Sequence, residues 1–343
     1  MARIGIVGCG IISEFLLGGL RDAGIGLHAA CDVDEGRARK AAAPFGAKVF
    51  CDYDRMLAGD EVDAVIIALP NFMHLDAALR AVAAGKHVFC EKPLTTCAAD
   101  SRRLVEDAGK SGRIFQMGYM KRFNPAYDAV RRHLDAIGPL LHASFALTSC
   151  GRPVLHGKAV PPADWHADVS RAGGGFLVHS GSHLLDLMIH LLGRPQSAWG
   201  RIRREASGNE YDSSIFFRMP GGVFAHVHLT TTSAVSLSYA GTNWDETVRI
   251  AGLGGRLQAG VADWRGVIPA YAWLHEADGL GPRRIAPQGP SQWAAEMKAF
   301  ADGIAQGRCL GSSVADGYCV DYVLEQVKRL ETGEEIVDFS YDV

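Results

Sequence analysis

The chain has 343 residues, and at roughly 150 residues per domain this length predicts two domains. Hydrophobic residues make up 48% and charged residues 21%, which is enough for a sizeable core and excludes a chain that is disordered throughout. The net charge is −3, so the chain lacks the basic character of proteins that bind nucleic acid.

Strands and helices alternate in the N-terminal part of the sequence. Strands are predicted at 4–7, 27–31, 48–50, 62–69, 87–90 and 114–118, and helices after Gly10 and over 35–43, 75–84 and 98–111. This alternation is typical of a parallel sheet with helices on both faces.

The pattern changes after Pro125. A helix over about 126–136 precedes strands at 140–149, 197–204, 213–218, 223–232, 246–251 and 255–260, then a loop at 278–290 and helices near 291–306 and 314–332. Consecutive strands favour a mostly antiparallel sheet. We therefore predict an α/β chain with a parallel-sheet domain at 1–122 and a second α/β domain at 123–343.

The cysteines and the hydropathy pattern bear on the compartment. The eight cysteines form no C-x-x-C pair, and a chain of this length needs no disulfides, so we expect reduced thiols in a cytoplasmic protein. No run reaches about 18 apolar residues, so we expect no membrane span.

A glycine-rich segment follows the first strand and opens the first helix. Gly8 permits a tight turn, and Gly10 lets a pyrophosphate approach the backbone. The helix N-terminus at Ile11 and Ile12 supplies amide donors and the positive end of a dipole. A tight turn without a ligand is the alternative, but the strand before and the helix after favour a Rossmann dinucleotide site.

An acidic residue ends the second strand. Asp32 is placed to accept hydrogen bonds from an adenosine ribose and to repel a 2′-phosphate. This favours NAD as the cofactor. NADP stays open, because Arg37 is close enough in sequence to accept a phosphate.

Four segments, 62–74, 85–93, 118–125 and 173–186, closely resemble the glucose–fructose oxidoreductase/inositol dehydrogenase (Gfo/Idh/MocA) family. The signature is Glu91-Lys92-Pro93 after a buried strand, followed later by the glycine run 173–175 and His183. The resemblance implies a Rossmann domain, a second domain with a large open sheet, and NAD or NADP. It also implies a homodimer or homotetramer packed through that sheet, and a sugar or polyol as substrate.

The resemblance implies that Lys92 contacts the reacting oxygen. An ammonium group at the end of a parallel strand can stabilise a developing alkoxide, while Glu91 orients the loop. Asn71 and His74 match a family loop near the nicotinamide. The predicted cofactor-binding set is Gly8, Gly10, Ile11, Ile12, Asp32, Arg37, Leu69, Pro70, Asn71, His74, Glu91 and Lys92.

His183 matches the catalytic histidine of the family, and an imidazole can take the hydroxyl proton as a general base. His179 stands where many family members carry aspartate. It cannot supply that negative charge, so we expect it to bind a different substrate hydroxyl, phosphate or carboxylate. The predicted substrate-binding residues are His179, Trp165, His166 and Arg122, and the loops 150–172 and 262–290 are expected to set specificity.

A metal site is the rival interpretation of these histidines. His179, His183, Asp186 and His190 would form one stripe if the whole segment were helical. The nearby glycines predict instead that the helix begins after His179, so no metal is predicted.

The resemblance implies an NAD(P)-dependent dehydrogenase that interconverts a secondary alcohol and a ketone on a sugar, amino sugar or cyclitol. Two alternatives remain at this stage. One is a sensor that binds NAD(P) without catalysis, and the other is an NAD-dependent glycoside hydrolase that works by transient oxidation.

Overall fold

The computed structural model describes residues 2–150, 165–232, 236–277, 281–286, 289–331, 333 and 335–341. It divides the chain into two compact units. The first comprises 1–123, 290–321 and 343, and the second comprises 124–289 and 322–342. Residues 290–321, which the sequence analysis assigned to the second domain, therefore belong to the first unit.

The helices and strands follow in chain order. The strands are β1 (Ile4–Val7), β2 (Leu27–Cys31), β3 (Lys48–Phe50), β4 (Ala64–Ile67), β5 (His87–Glu91), β6 (Phe115–Gly118), β7 (Leu140–Cys150), β8 (Ser197–Arg204), β9 (Glu210–Arg218), β10 (Phe224–Thr232), β11 (Trp244–Gly252), β12 (Gly255–Val261), β13 (Tyr271–Glu276), β14 (Arg283–Arg284), β15 (Ser312–Ser313) and β16 (Ile336–Asp338). The α-helices are α1 (Ile11–Asp22), α2 (Glu35–Ala42), α3 (Tyr53–Ala58), α4 (His74–Ala83), α5 (Ala98–Ser111), α6 (Pro125–Arg132), α7 (Val169–Ala172), α8 (Ser182–Leu192), α9 (Gln292–Gln306) and α10 (Val314–Val327).

The sheet of the first unit has the order β15-β6-β5-β4-β1-β2-β3 among the described residues. Its strands run parallel except β15, which pairs antiparallel with β6. The chain moves from β1 outward through β2 and β3, then crosses to β4 on the other side of β1. Such a reversal leaves a crevice at the carboxyl ends of β1 and β4, where open α/β sheets bind their ligands.

The return of residues 290–321 to the first unit has a packing cause. The rings of Phe15 on α1 and Trp293 on α9 lie 5.4 Å apart. A Cβ on Gly19 would lie 2.6 Å from the Trp293 carbonyl oxygen, so glycine lets the two helices approach closely. Ser312 then adds β15 to the sheet opposite Met117.

The sheet of the second unit has the order β14-β13-β12-β11-β7-β10-β9-β8-β16 among the described residues. It is antiparallel except for the parallel pair β7 and β10, so the predicted mostly antiparallel sheet is confirmed. The sequence analysis missed β13 and the short strands β14 and β16. Strands of two or three residues are too short to show a period of two.

All eight cysteines are free. Burial raises the pKa of Cys9 to about 12 and that of Cys31 to about 11, so both thiols stay protonated at neutral pH. Within the described ranges, no helix combines the length and apolarity needed to cross a bilayer.

Candidate active site

The turn after β1 depends on Gly8. Its φ is +87°, and a Cβ there would lie 2.4 Å from the Ala68 carbonyl oxygen at the end of β4. The Gly8 N–H donates to the Cys31 carbonyl oxygen at 2.9 Å. Gly8 is therefore required by the fold itself, because both its backbone conformation and its neighbours exclude a side chain.

Gly10 differs from Gly8 in what surrounds it. A Cβ on Gly10 would meet no atom of the described residues within 4 Å, so the fold does not need glycine at this position. Gly10 caps α1 without a side-chain hydrogen bond, and Ile11 in the first turn is 80% exposed. The open space beside uncapped amide groups fits an anionic group such as a pyrophosphate.

Asp32 joins the end of β2 to the glycine turn. Its Oδ2 accepts a hydrogen bond from the Cys9 N–H at 2.8 Å, and its Oδ1 accepts one from the Asp34 N–H at 2.9 Å. A carboxylate has about four acceptor positions, so capacity remains for ribose hydroxyls. Arg37 is the residue because of which NADP stayed open as a cofactor. Its Nε lies 3.6 Å from Asp34 Oδ2.

The loop after β4 carries Leu69, Pro70, Asn71 and His74. The His74 ring is fully buried, with Nδ1 2.7 Å from the Pro93 carbonyl oxygen and Nε2 2.8 Å from the Leu69 carbonyl oxygen. Both ring nitrogens therefore lie within hydrogen-bonding distance of backbone carbonyl oxygens. This geometry favours a structural role between two loops over the predicted cofactor contact of His74.

Lys92 follows β5 and is only partly buried. Glu91 beside it is 5% exposed, and its Oε2 accepts a hydrogen bond from the Lys92 N–H at 3.2 Å. A Cβ on Gly118 would lie 2.9 Å from Glu91 Oε1, so glycine at 118 makes room for the carboxyl group. The Glu91 side chain is thus an internal support of the Lys92 backbone, and its burial argues against the predicted direct contact with cofactor.

Burial raises the pKa of Glu91 to about 7, against the opposing effects of the Lys92 ammonium and N–H groups. Because this folded-state pKa exceeds the usual 4.5, the folded state gains stability from the bound proton at low pH and loses it as the pH rises through 7. We expect Glu91→Gln to become more stable than the wild type by up to about 3 kcal/mol between pH 5 and pH 8. Urea unfolding at several pH values measures this difference. The exposed Glu14→Gln is the control, and a Glu91→Gln difference that stays flat with pH would refute the assignment.

A helical turn carries His179 in the second unit. Residues Leu177–Gly181 form one π-helical turn that leads directly into α8. Gly181 has ordinary helical angles, and a Cβ there would lie 3.0 Å from a Leu177 methyl and 3.2 Å from Leu229. The α-helix begins after His179, at Ser182, as predicted, but the sequence did not predict the π-helical turn that contains His179 and leads into it, because Gly181 serves close packing and does not stop the helical path. Such π-turns are frequent at functional sites.

Three of the predicted substrate-binding side chains come together. The Trp165 and His166 rings stack at 3.8 Å, and the His166 and His179 rings lie 5.4 Å apart. His183 follows at the start of α8 and is 8% exposed. Residues 151–164, most of the loop expected to set specificity, lie outside the described residues.

The glycine run before His179 is held by residues that the sequence analysis missed. The buried Glu210 accepts a hydrogen bond from the Gly175 N–H at 2.5 Å, and Lys328 Nζ donates to the Gly173 carbonyl oxygen. A Cβ on Gly175 would lie 2.5 Å from the Glu210 backbone nitrogen. No sequence signal links residues so far apart, so only the fold reveals this support.

Arg122 lies in the first unit. Its guanidinium is 3.5 Å from the Asp316 carboxylate, and its side chain is 10% exposed. This pairing favours a structural role over the predicted substrate contact. Within the described part of the chain, no three His, Cys, Asp or Glu side chains are arranged to hold a metal ion.

Two protein-family models match this chain. Residues 2–119 match the family described as "Oxidoreductase family, NAD-binding Rossmann fold". Residues 127–258 match the "GFO/IDH/MocA C-terminal domain".

Individual relatives match over different lengths. Inositol 2-dehydrogenase 1 of Saccharopolyspora erythraea is 43% identical over 141 residues, which are 39% of this chain and 41% of that relative. Inositol 2-dehydrogenase 2 of the same organism is 29% identical over 338 residues, 94% of this chain and 91% of the relative. The solved structure of levoglucosan dehydrogenase in complex with NADH has a TM-score of 0.86 at 19% identity and covers 99% of both chains, which shows a shared fold.

These matches confirm the predicted fold class, the Rossmann domain and NAD as the cofactor. The two matched ranges take up more than half of the sequence, and the chain therefore belongs to the GFO/IDH/MocA family of NAD-binding oxidoreductases.

Proposed function

We propose that this chain is an NAD-dependent dehydrogenase that interconverts a secondary alcohol and a ketone on a sugar, amino sugar or cyclitol. The observation that carries the proposal is Lys92, held by Glu91 at the carboxyl end of β5 in the sheet that also carries the glycine turn. Relatives named inositol 2-dehydrogenase support a cyclitol or sugar as the substrate class.

Lys92 polarises the reacting oxygen in this proposal. Its ammonium group stabilises the negative charge that develops on the oxygen as the carbon–hydrogen bond breaks. The bound NAD supplies the hydride acceptor. The backbone hydrogen bond to Glu91 limits how far the lysine can shift, and so favours one geometry for the reaction.

His183 moves the proton. A neutral imidazole accepts the hydroxyl proton during oxidation, and the imidazolium returns it during reduction. His179, Trp165 and His166 form the substrate surface beside it, where a Trp face suits the apolar side of a sugar ring and the imidazoles suit its hydroxyls.

Two glycine substitutions separate cofactor binding from folding. We expect Gly10→Ala to keep wild-type stability within about 0.5 kcal/mol, because its methyl meets no described atom, yet to weaken NAD binding by about tenfold or more. Gly8→Ala should lower the free energy of unfolding by about 1–3 kcal/mol, because of its positive φ and its clash with Ala68. Calorimetric NAD titration and urea unfolding measure both. A Gly10→Ala protein that binds NAD normally would show that the pyrophosphate does not lie there.

The proposed activity is tested with purified protein, NAD and separate panels of cyclitols, aldoses, amino sugars and anhydrosugars. We expect reduced nicotinamide to accumulate with one class and its absorbance to rise in proportion to substrate. Tight NAD binding with no reduction by any class would favour a sensor. Release of a glycosidic product without net NAD reduction would favour glycoside hydrolysis.

We also propose that the outer face of the second sheet packs against a second copy of this chain. Trp199, Phe216, Phe224 and His226 form a continuous ladder there, with ring separations of 5.5 Å, 5.7 Å and 4.3 Å. Phe224 is 49% exposed and Phe216 is 37% exposed. The ladder therefore presents a large apolar surface to solvent in the single chain.

A charge in the middle of this ladder should break the assembly. Phe216→Glu is expected to give a monomer by light scattering where the wild type is a dimer or tetramer, because the carboxylate would be buried without a partner. Leu253→Glu, at an exposed turn between β11 and β12, is the control. A wild type that is monomeric at all concentrations would contradict the proposal.

A further inference from the structure

The turn that follows Lys92 is fixed at its far end by buried polar groups. The Thr95 N–H donates to Asp321 Oδ2 at 2.9 Å, and the Ser101 hydroxyl donates to the same oxygen at 2.7 Å. The Thr95 and Ser101 hydroxyl oxygens are themselves 2.7 Å apart. The segment 92–95 therefore has one anchored end at Thr95.

The end nearer to Lys92 is held by His74. The Nδ1 atom of this fully buried ring meets the Pro93 carbonyl oxygen, and Nε2 meets the Leu69 carbonyl oxygen, at 2.7 Å and 2.8 Å. Leu69 lies in the loop after β4, whereas Pro93 directly follows Lys92. One ring thus spans the two loops that end neighbouring parallel strands.

The positive charge of Lys92 acts on the His74 ring. Burial lowers the pKa of His74, the two carbonyl contacts oppose this, and the Lys92 ammonium lowers it further. Both partners are carbonyl oxygens, which only accept, so the ring donates to both loops when it carries two N–H groups and to one of them when it is neutral.

We propose that His74 is a positioning residue that ties the Lys92–Pro93 turn to Leu69 in the loop after β4. This tie would keep the lysine and the bound cofactor in one relative placement. The catalytic meaning of this inference rests on the proposed function, whereas the tie between the loops does not. Lysine has a long and flexible side chain, so its backbone must be fixed for its ammonium group to be well placed. A displacement of about 1 Å can cost about 100-fold in rate.

Two substitutions remove one half of the tie each. The side-chain nitrogen of asparagine comes near the position of histidine Nδ1, and that of glutamine near Nε2. His74→Asn should therefore keep the contact with Pro93 and lose the one with Leu69, and His74→Gln should do the reverse. Both replace a buried ring by a smaller amide, and asparagine removes one methylene group more than glutamine, so the comparison rests on which segment loosens and not on the overall loss of stability.

Hydrogen exchange on the protein without cofactor reads out the tie directly. In His74→Asn we expect the segment 67–73 to exchange about 2- to 10-fold faster with 91–97 unchanged, and the opposite in His74→Gln. His87→Asn is the matched control, because His87 lies at the other end of β5 and its Nδ1 accepts a hydrogen bond from the Ile114 N–H at 2.9 Å. Equal loosening of both segments in both variants would overturn the proposal.

The Kd for NAD and kcat then test separately what each loop contributes to function. His74→Asn should raise the Kd for NAD with little change in kcat, and His74→Gln should lower kcat by about 10- to 100-fold with little change in that Kd. His87→Asn should change neither by more than about twofold. If the exchange pattern appears but the wild type oxidises no alcohol, the proposed function fails and the tie stands. If the wild type is active and the two variants lose the same parameter, the positioning role fails.

Discussion

Replacing Lys92 by methionine is expected to lower kcat/KM for the alcohol by about 10²- to 10³-fold. Methionine has a similar length and loses only the charge that stabilises the developing alkoxide, and interactions of this kind contribute about that factor to enzymatic rates. The fold should be retained, because Lys92 is only partly buried and Glu91 contacts its backbone N–H, which methionine keeps. Initial rates with NAD and the best substrate measure the effect.

Lys92→Arg is the companion variant for this prediction. Arginine keeps the positive charge but places it on a larger, planar group, so we expect intermediate activity. If Lys92→Met retained more than a tenth of wild-type kcat/KM, the lysine would not be the group that polarises the substrate oxygen.

Replacing His183 by asparagine is expected to lower kcat by about 10²- to 10⁴-fold, the usual contribution of a positioned general acid or base. Asparagine can still donate and accept hydrogen bonds, so substrate binding should suffer less than proton transfer. Single-turnover measurements with saturating NAD separate the two effects.

His190→Asn is the control for this second prediction, since His190 lies two turns further along α8 and is less buried than His183. It should stay within a factor of about two of the wild type. Equal losses in both variants would mean that a histidine on this helix matters only for stability, and His183 would then lose its assignment as the proton carrier.

The local sequence was enough to predict the parallel strands of the first sheet and the glycine turn after β1. Gly8 lies between a strand and a helix, and the structure shows a positive φ and a close carbonyl there, which only glycine accepts. The buried apolar run of β4 and the alternation in β10 likewise predicted strands, because burial on both faces or on one face leaves a period in the sequence.

Contacts between distant segments were beyond such local patterns. The return of residues 290–321 to the first unit depends on Gly19 accepting Trp293 at close range, and neither residue alone signals it. In the same way Asp321 anchors Thr95 from 226 positions along the chain. These contacts depend on the tertiary fold, and they decide where the site residues are held.

For two histidines at the site, the structure shows an environment that the sequence did not predict. The family resemblance picked out His74, but its buried ring and two backbone carbonyls point to support of the loops instead of contact with cofactor. His179 lies before the start of the α-helix as expected, but within a π-helical turn, because Gly181 packs closely and does not break the helical path. A glycine in sequence does not distinguish these two uses.

Deuterium transfer tests the central claim most directly. The wild-type protein is incubated with NAD and the best polyol substrate labelled with deuterium at its carbinol carbon, and the nicotinamide is analysed by mass spectrometry. Direct hydride transfer predicts reduced cofactor that carries one deuterium for each ketone formed, and about 10²- to 10³-fold slower formation of this labelled cofactor in Lys92→Met under the same conditions. Bound NAD that never acquires deuterium from any labelled sugar or cyclitol would contradict the proposal that this chain is an alcohol dehydrogenase.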